Sequence, residues 1–395
     1  MRHPSFALFW FSRVLSTLAF QLQAVAVGWQ LYALTGSALD LGLVGLAQFL
    51  PMILLTLLVG QVADRFDRRL VVAVCQMVEA AGAATLLLGT LGGWLTKTSI
   101  LAIVFVVGAS RAFESPTMAA LVPRLVPRDV IPRAIARINS ASQTARIVGP
   151  SLGGVLYGLG ATRAYATVCA LFCVASVLAT WIRRETPAAA REPVTLASFF
   201  SGILFIRNTR PILGAVSLDL FAVLLGGATA LLPIYARDIL GTGPWGLGLL
   251  RSSPGIGALF AALILARYPI ERRVGPVFFG AVIVFGTATV VFGLSTNLAL
   301  SVAALGVLGA SDLVSVVIRY SLVQMRTPDQ MRGRVSAVSS LFTGTSNQLG
   351  EFESGLTAAL FGPVPAVLIG GVGTIVVALT WMRLFPELRR IRLVQ

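Results

Sequence analysis

The sequence is poor in charged residues: Asp, Glu, Lys and Arg together make up only 12% of its 395 residues. Soluble globular domains contain about 25% charged residues, because their surfaces face water. At the same time 56% of the residues are hydrophobic, and the mean hydropathy is +0.86. Such a composition cannot cover a water-facing surface of this size. It excludes a soluble protein and predicts a polytopic membrane protein.

Residues that bind metals or perform catalysis are equally scarce. There is a single histidine, His3, and the three cysteines, Cys75, Cys169 and Cys173, all fall in apolar tracts. We interpret them as buried thiols rather than as disulfides or metal ligands. The sequence contains no G-x-x-x-x-G-K-[ST] or H-E-x-x-H motif. ATP drive within this chain is therefore excluded, and we expect no enzyme, no cofactor and no metal ion.

What the sequence does contain is a series of long hydrophobic runs. A helix needs about 20 apolar residues to cross a bilayer, and twelve such runs follow one another. The first six runs are predicted to form one helix bundle (1–182), and the last six a second bundle (210–395). Between the bundles lies a cytoplasmic linker with a short amphipathic helix (183–209). The predicted fold is all-α, with twelve transmembrane helices. The predicted spans are 6–34, 38–62, 70–93, 98–121, 132–158, 163–182, 211–236, 245–267, 275–294, 298–321, 334–358 and 363–385.

Basic residues are distributed unevenly between the two sides of these spans. Of the 31 Lys and Arg residues, 22 would lie on one side of the membrane, three on the other and six within spans. Basic residues next to spans are enriched on the cytoplasmic side, so both termini and the linker are predicted to be cytoplasmic. The net charge of +15 is thus a topology signal, and we expect no nucleic-acid partner.

The two halves of the chain resemble each other at an offset of 201 residues. The segment "GASRAFESPTMAALV" (108–122) aligns with "GASDLVSVVIRYSLV" (309–323), and Gly149 aligns with Gly350. One offset that holds over two helices and a loop predicts an internal repeat. Two parallel repeats of six helices are a known plan of secondary transporters.

Several acidic residues stand inside the hydrophobic runs, where a charge is costly. A charged group at the bilayer centre costs about 2.5 to 3.5 kcal/mol even on lenient insertion scales, so these acids should face the bundle interior, water or a basic partner. An acid in a poorly hydrated cavity suits proton transport. Asp219 has no basic partner on its own predicted helix and is the preferred proton site. The other proton-coupling candidates are Glu114, Asp312, Glu351 and Glu353, and Glu79 is a further intramembrane acid.

Two of these acids have an arginine on the same predicted helix. Arg111 and Glu114 are three residues apart, and Asp312 and Arg319 are seven apart, so each pair can share one helix face. One interpretation is a structural ion pair that holds helices in register. The other is that at least one acid changes protonation during transport.

Three segments resemble motifs of the major facilitator superfamily of transporters. "GQVADRFDRRLVV" (60–72) resembles its loop motif G-x-x-x-D-R-x-G-R-[KR], with Asp67 where glycine is usual. "GPSLGG" (149–154) resembles the antiporter motif of drug:proton exporters, and "TPDQMRGRVSAV" (327–338) resembles a loop of the enterobactin-exporter-like branch. The resemblance covers nearly the whole chain.

The resemblance implies roles for these motifs and for the helices around them. Asp64 would form a latch with a neighbouring arginine that breaks as the two halves rock. In the family plan, helices one, four, seven and ten line a central cavity. The implied latch residues are Gly60, Asp64, Arg65 and Arg68; the antiporter-like motif residues are Gly149, Pro150, Gly153 and Gly154; and the cavity candidates, besides the acids, are Arg13, Gln21, Arg111, Arg251 and Arg319.

The function expected from the resemblance is secondary active transport by alternating access. The cargo would be an amphipathic small molecule, such as a drug or a siderophore, exported in exchange for protons. The alternatives are a lipid or metabolite carrier that uses no proton and, from another class, a non-transporting membrane receptor or enzyme. The expected partners are the cargo, protons and the lipid bilayer, and the protein is expected to be a monomer in the bacterial inner membrane.

Overall fold

The computed structural model describes residues 4–127, 129–183, 196–270 and 272–391, and these residues are mainly helical. The helices are α1 (Pro4–Thr35), α2 (Ala38–Arg65), α3 (Arg68–Gly92), α4 (Lys97–Leu125), α5 (Ile131–Gly158), α6 (Ala161–Thr180), α7 (Leu196–Asn208), α8 (Arg210–Leu225), a 3-10 turn (Ala228–Leu231), α9 (Leu232–Ile234), a π-helical turn (Tyr235–Ile239), α10 (Pro244–Arg267), α11 (Val274–Leu294), α12 (Leu298–Arg326), α13 (Asp329–Phe361), α14 (Pro363–Leu384) and α15 (Pro386–Arg389).

In the described part of the chain, ten helical segments are long and apolar enough to cross a membrane. Two more helices, α5 and α13, have 28 and 33 residues, which exceeds the roughly 20 residues that a span requires, although they carry more polar side chains. Each of the twelve predicted spans falls on one of these segments. The prediction of an all-α polytopic membrane protein is confirmed.

The seventh predicted span, 211–236, is not one continuous helix, contrary to the prediction. It breaks after α8, and the 3-10 turn, α9 and the π-helical turn follow. The break begins at Gly226 and Gly227, since two adjacent glycines disfavour a helix. A side chain at Gly227 would collide with the carbonyl group of Gly350 on α13. Glycine therefore both ends the helix and allows the two segments to approach.

The internal repeat is visible in the helix boundaries. Adding 201 to the bounds of α4 gives the bounds of α12. With the same offset, the bounds of α5 and α6 agree with those of α13 and α14 to within three residues. Equivalent helices therefore begin and end at equivalent points of the two halves, as the sequence predicts.

The chain folds into two compact units, and each unit is built from three separate stretches of the sequence. Unit 1 comprises Met1–Gly36, Leu46–Pro193 and Thr242–Ser252, and unit 2 comprises Ser37–Gly45, Val194–Gly241 and Ser253–Gln395. The first residues of α2 are thus grouped with unit 2, and those of α10 with unit 1.

Unit 1 is packed around apolar side chains from several helices. Phe9 of α1, Val72 of α3 and Met118 of α4 belong to one buried cluster, and Leu22 of α1 and Phe172 of α6 belong to another. Lipid tails are as apolar as these side chains, so close van der Waals packing, rather than exclusion of water, favours the association of helices in a bilayer.

Hydrogen bonds between helices add to the packing of unit 1. The hydroxyl of Tyr165 on α6 donates to Oε1 of Gln30 on α1 at 2.5 Å, and Nε2 of Gln30 donates to Thr90 on α3 at 3.0 Å. Hydrogen bonds of this kind contribute about 0.6 kcal/mol each on average in membrane proteins. These two hydrogen bonds therefore connect α6, α1 and α3 through Gln30.

Unit 2 has an interior of the same kind. Leu218 of α8, Phe278 of α11 and Ile318 of α12 lie in one buried cluster. Ile206 of α7 and Val338 of α13 lie in a second cluster. The short helix α7, predicted in the linker, therefore packs as part of unit 2.

Candidate functional site

Unit 1 encloses a buried polar cluster to which α1, α3 and α4 each contribute two side chains. Glu114 is 2% exposed, and its Oε1 accepts hydrogen bonds from Ser16 at 2.8 Å and from Gln76 at 2.9 Å. Its Oε2 accepts one from Nη1 of Arg111 at 3.1 Å, so the predicted pair on α4 is confirmed. This α3–α4 cluster consists of Ser12, Ser16, Gln76, Glu79, Arg111 and Glu114.

Glu79 has the least favourable surroundings for a charge in this cluster. Its side chain is 0% exposed, and neither of its oxygens accepts a hydrogen bond from any described group. It faces Arg111, whose Nη1 lies 3.8 Å from Oε2 of Glu79, a separation too long for a hydrogen bond. The cluster thus places two carboxyl groups beside one guanidinium group that bonds to only one of them.

Further residues of the predicted cavity surround Arg111. Its guanidinium group lies over the ring of Phe20, 4.1 Å from the centroid, which is a favourable cation–π geometry. Arg13 of α1 and Arg146 of α5 both interact electrostatically with Arg111. Nε2 of Gln21 lies 3.5 Å from the carbonyl oxygen of Arg146. The candidates Arg13, Gln21 and Arg111 therefore lie in one region of unit 1.

Unit 2 contains a second buried ion pair, and its partners differ from the prediction. Nη2 of Arg319 lies 3.2 Å from Oδ2 of Asp219, and the two side chains are only 9% and 4% exposed. Nη1 of Arg319 donates to Ser339 at 3.3 Å and to Thr343 at 3.0 Å. The predicted pair of Arg319 with Asp312 is wrong, because seven residues separate side chains by about 10.5 Å along a helix. The partner comes instead from α8.

Asp312 lies near this ion pair without joining it. It interacts electrostatically with both Asp219 and Arg319, but it forms no ion pair within the described ranges. Unit 2, like unit 1, therefore places two carboxyl groups beside one arginine; Asp219 is buried and Asp312 is half-buried. The arginine lies on α12 in unit 2 and on its repeat equivalent, α4, in unit 1.

A cavity of about 300 Å³ opens beside Arg319 between α12 and α13. This volume is at the small end of ligand pockets, and the wall combines one guanidinium group with several hydroxyl groups. Arg251, the remaining cavity candidate, is half-buried in α10 and does not line this cavity. The lining residues are Val316, Arg319, Tyr320, Val323, Ser336, Ser339, Ser340 and Thr343.

Glu351 and Glu353 both lie on α13 and are both half-buried. Residues two positions apart in an α-helix are rotated by about 200° around the helix axis, so these two acids point in different directions. Oε1 of Glu353 accepts a hydrogen bond from Thr357 at 2.7 Å. Glu351 faces α2 within unit 2, since a Cβ atom added to Gly45 would lie 3.1 Å from its Oε2. Contacts with protein groups explain why these acids are tolerated.

The loop motif between α2 and α3 is organised by Asp67. This residue is the N-cap of α3, where its carboxylate accepts a hydrogen bond from the backbone N–H of Arg69, and acidic N-caps are favourable. The same carboxylate lies 2.9 Å from Nε of Arg69. Asp67 thus replaces the usual glycine of the motif with a capping residue.

The four predicted latch residues are only partly described. Nη1 of Arg68 donates to the carbonyl oxygen of Ala120 on α4 at 3.2 Å, whereas the side chain of Arg65 is exposed. Gly60 and Asp64 belong to α2, but the surroundings of Gly60 and the side chain of Asp64 lie outside the described part of the chain. The latch itself stays a prediction.

The antiporter-like motif forms a close contact surface on α5. A Cβ atom added to Gly153 would lie 3.1 Å from the backbone of Leu22 on α1, and one added to Gly154 would lie 3.0 Å from Cα of Gly248 on α10. Gly149 packs in the same way against Gln21 of α1, and Pro150 is buried beside it. Larger residues would push α5 away from its neighbours.

Glu79 is recognisable in the sequence as an intramembrane acid, but the cluster that surrounds it is not predicted there. The signal was present as polar pairs three or four residues apart in otherwise apolar helices, since such spacing places both side chains on one face. These polar pairs are Ser12 with Ser16, and Gln76 with Glu79.

No group of three or more His, Cys, Asp or Glu side chains suited to a metal ion occurs in the described ranges.

A family model described as "Transmembrane secretion effector" matches residues 1–391 of the chain. Among curated proteins, the chain is 28% identical to the enterobactin exporter EntS of Citrobacter koseri, over 99% of this chain and 94% of the relative. It is 25% identical to the enterobactin exporter EntS of Shigella boydii, with the same coverage of both chains.

Solved transporter structures share the fold of this chain. A bacterial homologue of the human lysosomal transporter Spinster superimposes with a TM-score of 0.77 at 12% identity and covers 98% of both chains. The nucleoside transporter NupG superimposes with a TM-score of 0.68 at 17% identity, over 96% of this chain and 99% of that chain.

Proposed function

Because the chain belongs to the transmembrane secretion effector family of the major facilitator superfamily, we propose that it exports an amphipathic small molecule in exchange for protons by alternating access. The family and the matched relatives are transporters, not enzymes. The chain is accordingly a secondary transporter with a small-molecule cargo.

The observation that supports proton exchange is that each unit holds an acid–arginine group among its apolar helices, with Glu79, Glu114 and Asp219 buried. Each unit retains two carboxyl groups and one arginine inside apolar helices, although a charge there is costly. Ionisable residues at such depth mark ion or proton pathways in membrane proteins. Of the proton-coupling candidates, Glu114, Asp219 and Asp312 belong to these groups, whereas Glu351 and Glu353 lie apart from them on α13.

The cargo that we propose is a siderophore, and the names of the curated relatives support it. A drug-like amphipathic molecule is the second candidate. The arginines Arg13, Arg111 and Arg146 of unit 1 would favour a cargo with acidic or hydrogen-bond-accepting groups.

The experiment uses inside-out vesicles that contain the protein, with enterobactin and a panel of amphipathic dyes as probes. When the lumen is more acidic than the bath, we expect the cargo to accumulate above its bath concentration while protons leave the lumen. A protonophore should abolish this accumulation, and protein-free vesicles are the control. Uptake that only equilibrates and ignores the pH gradient would support the proton-independent carrier, and no uptake of any probe would support a receptor.

We also propose that the protein is a monomer in the bacterial inner membrane with both termini in the cytoplasm, as the arginine distribution predicts. Thr296, exposed between α11 and α12, should then face outward, and Asp129, exposed between α4 and α5, should face inward. In a cysteine-free background, an impermeant maleimide added to intact cells should label Thr296→Cys but not Asp129→Cys. The reverse pattern would contradict the proposed orientation.

A further inference from the structure

The α3–α4 cluster holds two carboxyl groups that have very different partners. Glu114 receives three hydrogen bonds, from Ser16, Gln76 and Arg111. These donors satisfy both of its oxygens, and hydrogen bonds to a charged acceptor favour the ionised form. Glu114 therefore has the surroundings of a carboxylate.

Glu79 has the opposite surroundings. Its side chain is completely buried on α3, and no described donor reaches either oxygen. An ionised carboxylate without hydrogen bonds in such a site is strongly disfavoured, and Arg111, 3.8 Å away, already bonds to Glu114. A neutral carboxylic acid fits the same site, because its O–H group can donate to the neighbouring carboxylate.

Among the residues that the structure describes, few charged groups face Glu79. Arg111 and Glu114 of α4 are its charged neighbours, and Cys75 lies one turn away on α3. Both carboxyl groups lie against the same nitrogen, Nη1 of Arg111, at 3.8 Å for Glu79 and 3.1 Å for Glu114, so Glu114 is the neighbouring carboxylate of Glu79. The helix α1 contributes the hydroxyl groups of Ser12 and Ser16 to the cluster, and its Arg13 interacts with Glu114.

We infer that Glu79 and Glu114 together form a binding site for one proton, carried by Glu79 and hydrogen-bonded to the ionised Glu114. The site takes a proton from water on one side of the membrane and returns it to water on the other, so that only an O–H bond is formed and broken. Exchange with water passes through Glu114, which lies beside the more exposed Arg111. That this proton drives export rests on the proposed function; that Glu79 binds it does not.

Infrared spectroscopy of the purified full-length protein at neutral pH tests the binding of the proton directly. A protonated carboxylic acid has a C=O stretching band that a carboxylate lacks, and this band shifts in D2O. We expect Glu79→Gln to remove one such band from the wild-type spectrum. Glu114→Gln should remove the same band, because Glu79 then becomes the carboxylate that pairs with Arg111. Glu387→Gln, which changes an exposed acid on α15, is the control and should leave the band in place.

Transport by Glu79→Gln tests the use of the proton. In inside-out vesicles with an acidic lumen, the variant should lose accumulation above the bath concentration but keep downhill exchange of cargo. Thermal unfolding in detergent checks that it folds, and a neutral isostere of a neutral acid should leave the midpoint nearly unchanged.

The outcomes separate the two proposals. A band of wild-type intensity in Glu79→Gln, or a strongly lowered unfolding midpoint, would overturn the proton site and assign Glu79 to an ion pair with Arg111. A band that disappears while wild-type transport ignores the pH gradient would uphold the proton site and refute proton-coupled export.

Discussion

Replacing Arg319 by leucine is expected to reduce the free energy of unfolding by about 3 to 5 kcal/mol, because it leaves the buried Asp219 without its cation. The two side chains are 9% and 4% exposed and lie 3.2 Å apart, so the pair is largely shielded from water. The midpoint of thermal unfolding in detergent should fall, and the yield of folded protein should fall with it. Cargo binding in the adjoining cavity should weaken as well, because Arg319 is part of its wall.

The matched control is an exposed pair in the same unit. Arg332 and Asp329 lie 2.6 Å apart, with side chains 49% and 83% exposed, and such pairs contribute about 0 to 1 kcal/mol. Arg332→Leu should therefore change the unfolding midpoint little. The double variant Arg319→Gln/Asp219→Asn should recover most of the loss, since it leaves no unpaired charge. Equal midpoints for Arg319→Leu and Arg332→Leu would contradict the importance of the buried pair.

Gly154→Val is expected to slow transport at least tenfold. A factor of ten in rate corresponds to about 1.4 kcal/mol. Overpacking by an added side chain usually costs about 1 to 3 kcal/mol, which is enough for this effect. The added Cβ atom would collide with the carbonyl oxygen of Pro244 and lie 3.0 Å from Cα of Gly248. Both contacts are with backbone atoms, which cannot move aside as a flexible side chain can. The first turns of α10 would have to shift away from α5.

Gly158→Val is the control for this prediction, because it adds the same side chain to the same helix. Nothing lies within 4 Å of a Cβ atom at Gly158, so we expect transport near the wild-type rate. Initial uptake into vesicles, normalised to the amount of folded protein, measures both variants. If Gly154→Val also transports at the wild-type rate, the close approach of α5 to α10 has no role in transport.

The two arginine pairs show which contacts a sequence can predict. Arg111 and Glu114 are three residues apart, and one turn of helix brings such side chains together whatever the rest of the fold does; the predicted pair is present. Asp312 and Arg319 share a helix face but are two turns apart, too far to meet. The partner of Arg319 is Asp219, which is distant in the sequence and is supplied by the packing of α8 beside α12.

The glycines show the same division. The resemblance places Gly149, Gly153 and Gly154 in an antiporter-like motif, and only the folded chain shows that they pack closely against α1 and the start of α10. Gly226 and Gly227 were included in a continuous span, although the helix breaks there. A pair of glycines is compatible with either outcome, and the approach to Gly350 favours the break.

The sequence by itself determined that this is a membrane protein of twelve spans in two similar halves, because hydropathy, run length and repeat spacing are properties of the chain alone. It also determined which acids stand inside the spans. Only the tertiary structure decided that Glu114 accepts hydrogen bonds from Ser16 and Gln76, whereas Glu79 accepts none from any described group. The way in which packed helices rotate and touch results from many weak van der Waals contacts acting together. These contacts join residues that are far apart in the chain, so no short stretch of sequence predicts them.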